Sequence, residues 1–423
     1  MDDVATGVET PACGEVEIGG TVAPGFDGVR AAFEANFVVN GEVGAGFSLV
    51  FDGRTVVDLW GGVADVATGE PYGEDTLQLV FSSTKGATAI CANLLAQRGE
   101  LEVTAPVASY WPEFAQAGKG DIPVGWLLCH KAGLPFIDAP LDLDDVLGWD
   151  PAVAALAAMT PVWEPGTAHG YHAVTYGWLV GEVLRRITGR SVGAFFAEEV
   201  AGPLNLEFWI GLPDAQQARV APLTNRGLRA GSPAPAADAQ RHDDGLGDLV
   251  ETIEQLLGPD SHLVKALGGS TALPLVGDGV FNKHEVRAAE LPAANGVTNA
   301  RSLARMYAGT IGSVEGSEAG ALLTPEQVAA ASTTQTSGAD QVLMFETTFG
   351  LGFMTSSPFS PYGGRRSFGH AGAGGSVGFA DPEHGIGFGY VMNRMMTNRS
   401  GDPRSRALVA AVYDAIGATL VYV

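Results

Sequence analysis

Hydrophobic positions near the start of the chain follow a helical period and then switch to the period of strands. Residues 26–39 place Val29, Phe33 and Phe37 on one face, which predicts an amphipathic helix. The next two runs, GAGFSLVF and RTVVDLWGG, are rich in strand-forming residues and flank Asp52-Gly53. That dipeptide is typical of tight hairpin turns, so we expect a β-hairpin after the helix.

The middle of the chain has a mainly helical pattern, and the C-terminal part returns to strands. A helix of small and apolar residues is predicted from Thr84 to a stop at Gly99. Helical patterns broken by loops dominate residues 100–330, whereas residues 1–25 indicate a loose arm. Successive strands and a last amphipathic helix are predicted at 345–355, 367–382, 385–395 and 402–420.

This order of elements predicts a mixed α/β (α+β) fold with two lobes. Residues 1–95 and 290–423 would form an α/β lobe from both chain ends, with a mainly antiparallel sheet flanked by helices. Residues 96–289 would form an inserted, mainly helical lobe. A Pro-, Ala- and Asp-rich stretch near 228–248 is expected to be a flexible surface loop.

Composition narrows the function classes. The 423 residues carry a formal net charge of -24, spread along the chain, which disfavours nucleic acid and anionic membranes as partners. Three cysteines without metal-type spacing, and an N-terminus unlike a signal peptide, favour a cytoplasmic protein with reduced thiols. As a partner we expect a small molecule, and the oligomeric state stays open, a homodimer included.

The stretch VFSSTKGATAI contains the first candidate for chemistry. Ser82 and Lys85 lie three residues apart, so on a helix they share a face. A serine hydroxyl needs a base to become a nucleophile, and a lysine can serve if a dry environment lowers its pKa. Alternatively, Lys85 is a surface charge at a helix end.

Two further places could contribute chemistry. Tyr171 precedes a strong helix, and its phenol could relay a proton in a cleft or simply pack at an interface. His169 and His172 are three apart, but no third ligand lies beside them, so we expect no metal. The glycine-rich run 369–375 lets a substrate approach a strand closely, and an exposed N–H there could complete an oxyanion hole with that of Ser82.

A competing motif overlaps the glycine run. Residues 374–378, GGSVG, match the G-x-S-x-G nucleophile elbow, which would make Ser376 the nucleophile with Asp381 and His384 nearby. That motif requires a helix after the serine, and the sequel FADPEHG indicates the end of a strand and a turn. We therefore expect the match to be a coincidence.

Together these sites resemble the serine β-lactamase and penicillin-binding-protein superfamily, in particular its class C-like branch and the family VIII carboxylesterases. Ser82 and Lys85 match the Ser-x-x-Lys motif and Tyr171 the tyrosine motif, while His370-Ala371-Gly372 replaces Lys-Thr-Gly. The resemblance also covers stretches such as LLCHKAGLP and ANGVTNARSLARMYAG. It implies a β-lactamase/transpeptidase-like fold. It also implies that Ser82 is the nucleophile and that Lys85 and Tyr171 are the acid/base groups. The N–H groups of Ser82 and Ala373 would form the oxyanion hole. The residues implied to bind the substrate are His370, Gly372 and His172.

Departures from the family pattern favour one activity. Ala173 stands where the tyrosine motif has an asparagine, and His370 stands where a lysine would carry a permanent charge. We therefore expect a serine carboxylesterase that hydrolyses short-chain acyl esters through an acyl-enzyme, without metal or organic cofactor. The alternatives are a β-lactamase, a D-amino-acid peptidase or amidase, an acyltransferase, or a binding relative with a silent cleft.

Overall fold

The computed structural model describes residues 16–225, 258, 260–269, 279–358, 360–396 and 401–421. Strands and helices alternate with long loops throughout this part of the chain. The strands are β1 Ile18–Val22, β2 Gly44–Phe51, β3 Arg54–Asp65, β4 Glu70–Pro71, β5 Gln78–Leu79, β6 Phe208–Trp209, β7 Val297–Thr298, β8 Thr336–Ala339, β9 Glu346–Phe349, β10 Met354–Thr355, β11 Phe368–Ala371, β12 Val377–Asp381 and β13 Ile386–Met392.

The α-helices concentrate in the middle of the chain and at its two ends. They are α1 Asp27–Val39, α2 Thr84–Gln97, α3 Val124–Leu128, α4 Leu143–Leu147, α5 Asp150–Ala158, α6 Thr175–Thr188, α7 Val192–Phe196, α8 Gly202–Leu204, α9 His262–Val264, α10 His284–Ala288, α11 Ala300–Ile311, α12 Pro325–Ser332 and α13 Pro403–Ala415. Within the described residues, none of these helices is both long enough and apolar enough to cross a membrane.

A large antiparallel sheet dominates the fold, in the order β1-β3-β2-β13-β12-β11-β10-β9-β8. The predicted hairpin is present as β2 and β3, and both turn residues, Asp52 and Gly53, have positive φ. The predicted fold class, a mainly antiparallel sheet flanked by helices, is confirmed. A second, small sheet joins β5, β7 and β6.

Helices pack on both faces of the large sheet. Successive side chains of each strand point to opposite faces, so each strand contributes to both contacts. Phe388 and Tyr390 of β13 lie in one buried cluster with apolar residues of α1 and α13. Gly387 and Gly389 point the other way, where α11 packs so closely that a Cβ atom at either glycine would lie 2.4 Å from a helix carbonyl oxygen. Glycine and aromatic residues thus alternate in β13 because α11 packs closely on one face of the sheet, whereas large side chains fill the space towards α1 and α13 on the other face.

Three details of the sequence-based expectation are wrong. Residues 345–355, expected as one strand, form β9 and β10, which pair antiparallel across a turn at 350–353. Residues 18–22, expected in a loose arm, pair with β3 as strand β1. Residues 367–382, expected as one strand, form β11 and β12, joined by a turn in which Gly374 and Gly375 have positive φ. The flexible loop expected near 228–248 lies outside the described residues.

The middle segment carries most of the helices, as expected. Helix α2 packs on α6 and α7 and also contacts β11. The N-terminus of α2 therefore lies where the large sheet meets the helical layer. The two-lobe boundaries expected at residues 95 and 290 stay a prediction.

Candidate active site

Ser82 lies in a short 3-10 helix, Phe81–Ser83, that runs directly into α2. Phe81 has a φ of 43°, a left-handed conformation that is costly for a phenylalanine and persists only where the surroundings impose it. The Thr84 hydroxyl donates to the Phe81 carbonyl at 2.5 Å and accepts from the Gly296 N–H at 2.8 Å. The turn is therefore held firmly, and it leaves the Ser82 side chain partly exposed.

Lys85 is fully buried one turn after Ser82, and no carboxylate lies among its hydrogen-bond partners. Its Nζ lies 2.6 Å from the Ala173 carbonyl oxygen, 3.0 Å from the Ala293 carbonyl oxygen and 3.2 Å from Ser82 Oγ. Burial holds the pKa of Lys85 well below its ordinary value. A neutral amine has two N–H donors and one lone pair, so two carbonyls and one hydroxyl match its needs.

Lys119 provides a contrast within the same chain. Its side chain is also fully buried, but Nζ donates to three carbonyl oxygens, those of Gln116, Ala157 and Met159. Three acceptors require all three hydrogens of an ammonium group. Around Lys85 the third partner is the Ser82 hydroxyl, which can accept from an ammonium group or donate to a neutral amine. Because burial lowers the pKa of Lys85, the neutral form is favoured, and its lone pair would then face this hydroxyl.

Tyr171 completes a group of three polar side chains. Its hydroxyl interacts with Ser82, and its ring lies 4.7 Å from Lys85 Nζ. Burial raises the pKa of Tyr171, and the hydrogen bond with Ser82 only partly offsets this, so the phenol stays protonated at neutral pH. The structure thus brings Tyr171 to Ser82 and Lys85, although it lies on a separate stretch of the sequence.

The turn between β11 and β12 lies beside the backbone of the nucleophile turn. The Ser376 hydroxyl donates to the Val80 carbonyl at 2.8 Å, and Ser83 Oγ lies 3.1 Å from Ser376 Oγ. At Gly372 a Cβ atom would lie 2.2 Å from the Val80 carbonyl oxygen, so only glycine fits there. The Gly372 N–H donates to the Ser376 carbonyl, and Ala373, the predicted oxyanion donor, is a partly exposed residue of this turn.

The Ser376 contacts are incompatible with the competing G-x-S-x-G motif. Ser376 is buried directly before β12, and its hydroxyl donates to the Val80 carbonyl. The His384 ring pairs with Asp381 at 2.7 Å, beyond the other end of the same strand. Because a strand rises about 3.3 Å per residue, the histidine lies too far away to activate Ser376.

His370 and His172, both expected at the substrate, are buried and neutral. Burial lowers the pKa of each imidazole to about 3. His172 uses both ring nitrogens locally, because Nε2 accepts from the Leu134 N–H and Nδ1 pairs with the Gly170 carbonyl. It therefore has no nitrogen left for a substrate, and we omit it from the proposed binding site.

His370 differs from His172 in having one uncommitted nitrogen. Its Nδ1 pairs with the Ala371 carbonyl at 2.7 Å, while Nε2 is buried without a hydrogen-bond partner among the described residues. The ring lies 6.0 Å from that of Tyr171. His169, which is not expected to bind a metal together with His172, has a different partner: its Nε2 lies 2.9 Å from the Thr347 hydroxyl.

Sequence reasoning missed several groups that support the site. The Ala173 and Ala293 carbonyls are backbone atoms, so no side chain marks them. His130 and Asp340 both contact the segment around Tyr171. For His130 the sequence did contain a signal, because His130 lies in LLCHKAGLP, one of the stretches that resemble the family.

Comparisons with known proteins show the family to which this chain is similar. The Beta-lactamase family model matches residues 30–413. The Esterase/beta-lactamase LipL of Mycobacterium tuberculosis is 33% identical over 384 residues, which cover 89% of this chain and 83% of LipL. These matches confirm the resemblance seen in the sequence.

Solved structures show the same similarity over nearly the whole chain. The crystal structure of a family VIII carboxylesterase aligns with a TM-score of 0.80 and 38% identity, covering 94% of this chain and 100% of that one. A penicillin-binding protein homolog from Caulobacter crescentus aligns with a TM-score of 0.78, 38% identity and the same coverages. This chain is therefore a serine hydrolase and belongs to the beta-lactamase family.

Proposed function

We propose that this serine hydrolase is a carboxylesterase that cleaves uncharged, short-chain acyl esters through an acyl-enzyme on Ser82. The observation that carries the proposal is the set of partners around Lys85 Nζ. Two carbonyls occupy its N–H groups, and the third contact is Ser82 Oγ. A buried, neutral amine in that position is a suitable general base for a serine nucleophile.

The proposed reaction has two balanced halves. Ser82 Oγ attacks the ester carbonyl carbon, its proton passes to Lys85 Nζ, and the carbonyl electron pair becomes an oxyanion. The N–H groups of Ser82 and Ala373 would stabilise that oxyanion. On collapse the alkoxide leaves and takes a proton delivered by Lys85 with the help of the Tyr171 phenol.

The second half releases the acid. A water molecule attacks the acyl carbon and gives its proton to the same acid/base pair. The ester bond to Ser82 breaks, and Ser82 Oγ recovers a proton. Transfer of the acyl group to an alcohol would follow the same steps with that alcohol in place of water.

The charge of the site favours an uncharged ester over a substrate with a carboxylate. His370 stands where the family pattern has a lysine, and burial holds its pKa at about 3, so it provides no cation at neutral pH. The Ala173 side chain has no hydrogen-bonding group. Arg365 and Arg366, the candidate substitutes for the missing charge, are exposed and precede β11 at the end away from the Gly372 turn.

The proposal is tested by comparing Ser82→Ala with Ser376→Ala. Hydrolysis of p-nitrophenyl butyrate should fall by at least about a thousandfold in Ser82→Ala. Ser376→Ala loses only a hydroxyl that bonds the Val80 carbonyl, so its rate should fall by no more than about tenfold. Intact-mass analysis should find one butyryl group on the peptide that contains Ser82. Near-wild-type hydrolysis by Ser82→Ala would eliminate the proposed nucleophile.

Lactam hydrolysis is the second candidate, favoured by the family itself and by the penicillin-binding protein homolog. The ratio of kcat/KM for p-nitrophenyl butyrate to kcat/KM for nitrocefin separates the two. We expect a ratio far above one. A ratio below one would replace the esterase proposal by a lactamase with the same nucleophile.

A further inference from the structure

His130 occupies an unusual position behind Tyr171. It follows α3, is fully buried, and has a φ of 63°, in the left-handed region. Non-glycine residues are uncommon in this region, and such residues cluster at functional sites. Here the conformation lets the carbonyl and the ring of His130 face the same neighbouring segment, residues 170–172.

Hydrogen bonds join the loop after α3 to the segment that carries Tyr171. The Gly170 N–H donates to the His130 carbonyl at 3.1 Å, and the His172 N–H donates to His130 Nδ1 at 3.1 Å. In return the Leu134 N–H donates to His172 Nε2 at 3.1 Å, and the Thr175 hydroxyl donates to the Leu134 carbonyl at 2.7 Å. The backbone on both sides of Tyr171 is therefore fixed.

Asp340 binds the remaining amide of this segment, that of Tyr171 itself. The Tyr171 N–H donates to Asp340 Oδ1 at 3.0 Å. The same oxygen accepts the N–H groups of Val342 and Leu343 at 2.9 Å each, and Oδ2 accepts the Thr347 hydroxyl at 2.9 Å. These three bonds fix the Asp340 carboxylate in place. Its bond to the Tyr171 N–H therefore restricts the backbone at Tyr171.

Ring contacts restrict the Tyr171 side chain as well. The His130 ring lies 5.1 Å from the Tyr171 ring and 4.4 Å from the Phe349 ring. Phe349 stacks on Tyr171, with an angle of 12° between the planes. The phenol therefore has little freedom to rotate away from Ser82.

We propose that His130 and Asp340 are positioning residues that hold the Tyr171 phenol against Ser82 and affect the reaction only through Tyr171. The inference rests on the proposed function, because it assigns Tyr171 a role in the chemistry at Ser82. Hydrogen bonding also defines the state of His130: Nδ1 accepts, so the proton lies on Nε2. Burial lowers the pKa of His130 well below its ordinary value, which keeps the ring neutral and Nδ1 an acceptor.

The decisive experiment is a double-mutant cycle read by the rate at which a fluorophosphonate labels Ser82. His130→Leu removes the acceptor, and because a displacement of about 1 Å can cost a hundredfold, we expect labelling to slow by about tenfold to a hundredfold. His130→Asn keeps an acceptor near the same place and tolerates positive φ, so it should stay within about threefold of wild type. In the Tyr171→Phe background, His130→Leu should cost less than about twofold more.

Asp340→Ala gives a second, independent arm of the cycle in case His130→Leu fails to fold, which circular dichroism would show. His384→Leu is the matched control, because that histidine also pairs with a neighbour but lies at the far end of β12. Losses from His130 or Asp340 variants that multiply with that of Tyr171→Phe would overturn this inference alone. Absence of labelling at Ser82 in the wild-type protein would overturn both the inference and the proposed function.

Discussion

Replacing Lys85 with methionine tests whether the buried amine is neutral. In the folded protein burial holds the pKa of Lys85 well below its ordinary value. Unfolding returns the amine to water, where its pKa is about 10.4. Between these two pKa values the unfolded chain binds a proton that the folded chain does not bind.

This difference fixes the sign and the size of a pH effect. Stability rises with pH wherever the unfolded state binds more protons, by up to about 1.4 kcal/mol per pH unit for one group. The Lys85→Met variant lacks this contribution. Its buried Ala173 and Ala293 carbonyls lose their donor and cost free energy, but they do not titrate, so they shift the difference between the two proteins without changing its slope.

The assay is urea unfolding of wild type and variant at several pH values, with Lys119→Met as the matched control. Burial lowers the pKa of Lys119 to about 8, so its contribution to the slope fades below about pH 8. If Lys85 is the base at neutral pH, its slope should persist at about 1.4 kcal/mol per unit between about pH 7 and 8. A wild-type-minus-variant difference independent of pH in that range would mean a protonated Lys85, and the general base would be lost.

Three further substitutions have defined outcomes. Thr84→Val loses its bond to the Phe81 carbonyl, so urea unfolding should show a loss of about 1–3 kcal/mol and fluorophosphonate labelling of Ser82 should slow. Although burial alone would raise it, the pKa of Glu182 is held low by hydrogen bonds from two arginines and an indole. The stability that Glu182 contributes should therefore disappear as pH falls below about 4. In Glu182→Gln the midpoint of thermal unfolding should depend less on pH in this acidic range. Arg404→Met leaves the buried Glu42 carboxylate without its cation and should cost about 3–5 kcal/mol in urea unfolding, part of which Glu42→Gln should restore.

Local sequence patterns predict the elements that depend on nearby residues. The apolar face of α1 and the Asp52-Gly53 turn are encoded within a few positions, and both appear where expected. The pairing of Ser82 with Lys85 is of the same kind, since one helical turn separates them. The fold class can be predicted because the order of such elements along the chain, with strands near both ends and helices between them, is typical of a mixed α/β fold.

Other features depend on contacts between distant parts of the chain. The carbonyls that accept from Lys85 lie 88 and 208 residues away, and any residue type could provide them. The left-handed φ of Phe81 and of His130 is imposed by tertiary contacts, so no glycine marks it. The turn within 367–382 was missed because its glycines continue the small-residue pattern of the flanking strands.

Charge is the property that links the geometry of the site to its substrate. The chain carries a formal net charge of -24, yet the groups around Ser82 are arranged to be neutral. Lys85 and His370 both have pKa values lowered by burial, and the Asp340 carboxylate lies behind the Tyr171 backbone. Among these groups an anionic substrate would thus meet no compensating cation, and it would approach the Asp340 carboxylate behind Tyr171. Because an unpaired charge is costly to desolvate, this arrangement supports the proposed preference for uncharged acyl esters over substrates that carry a carboxylate.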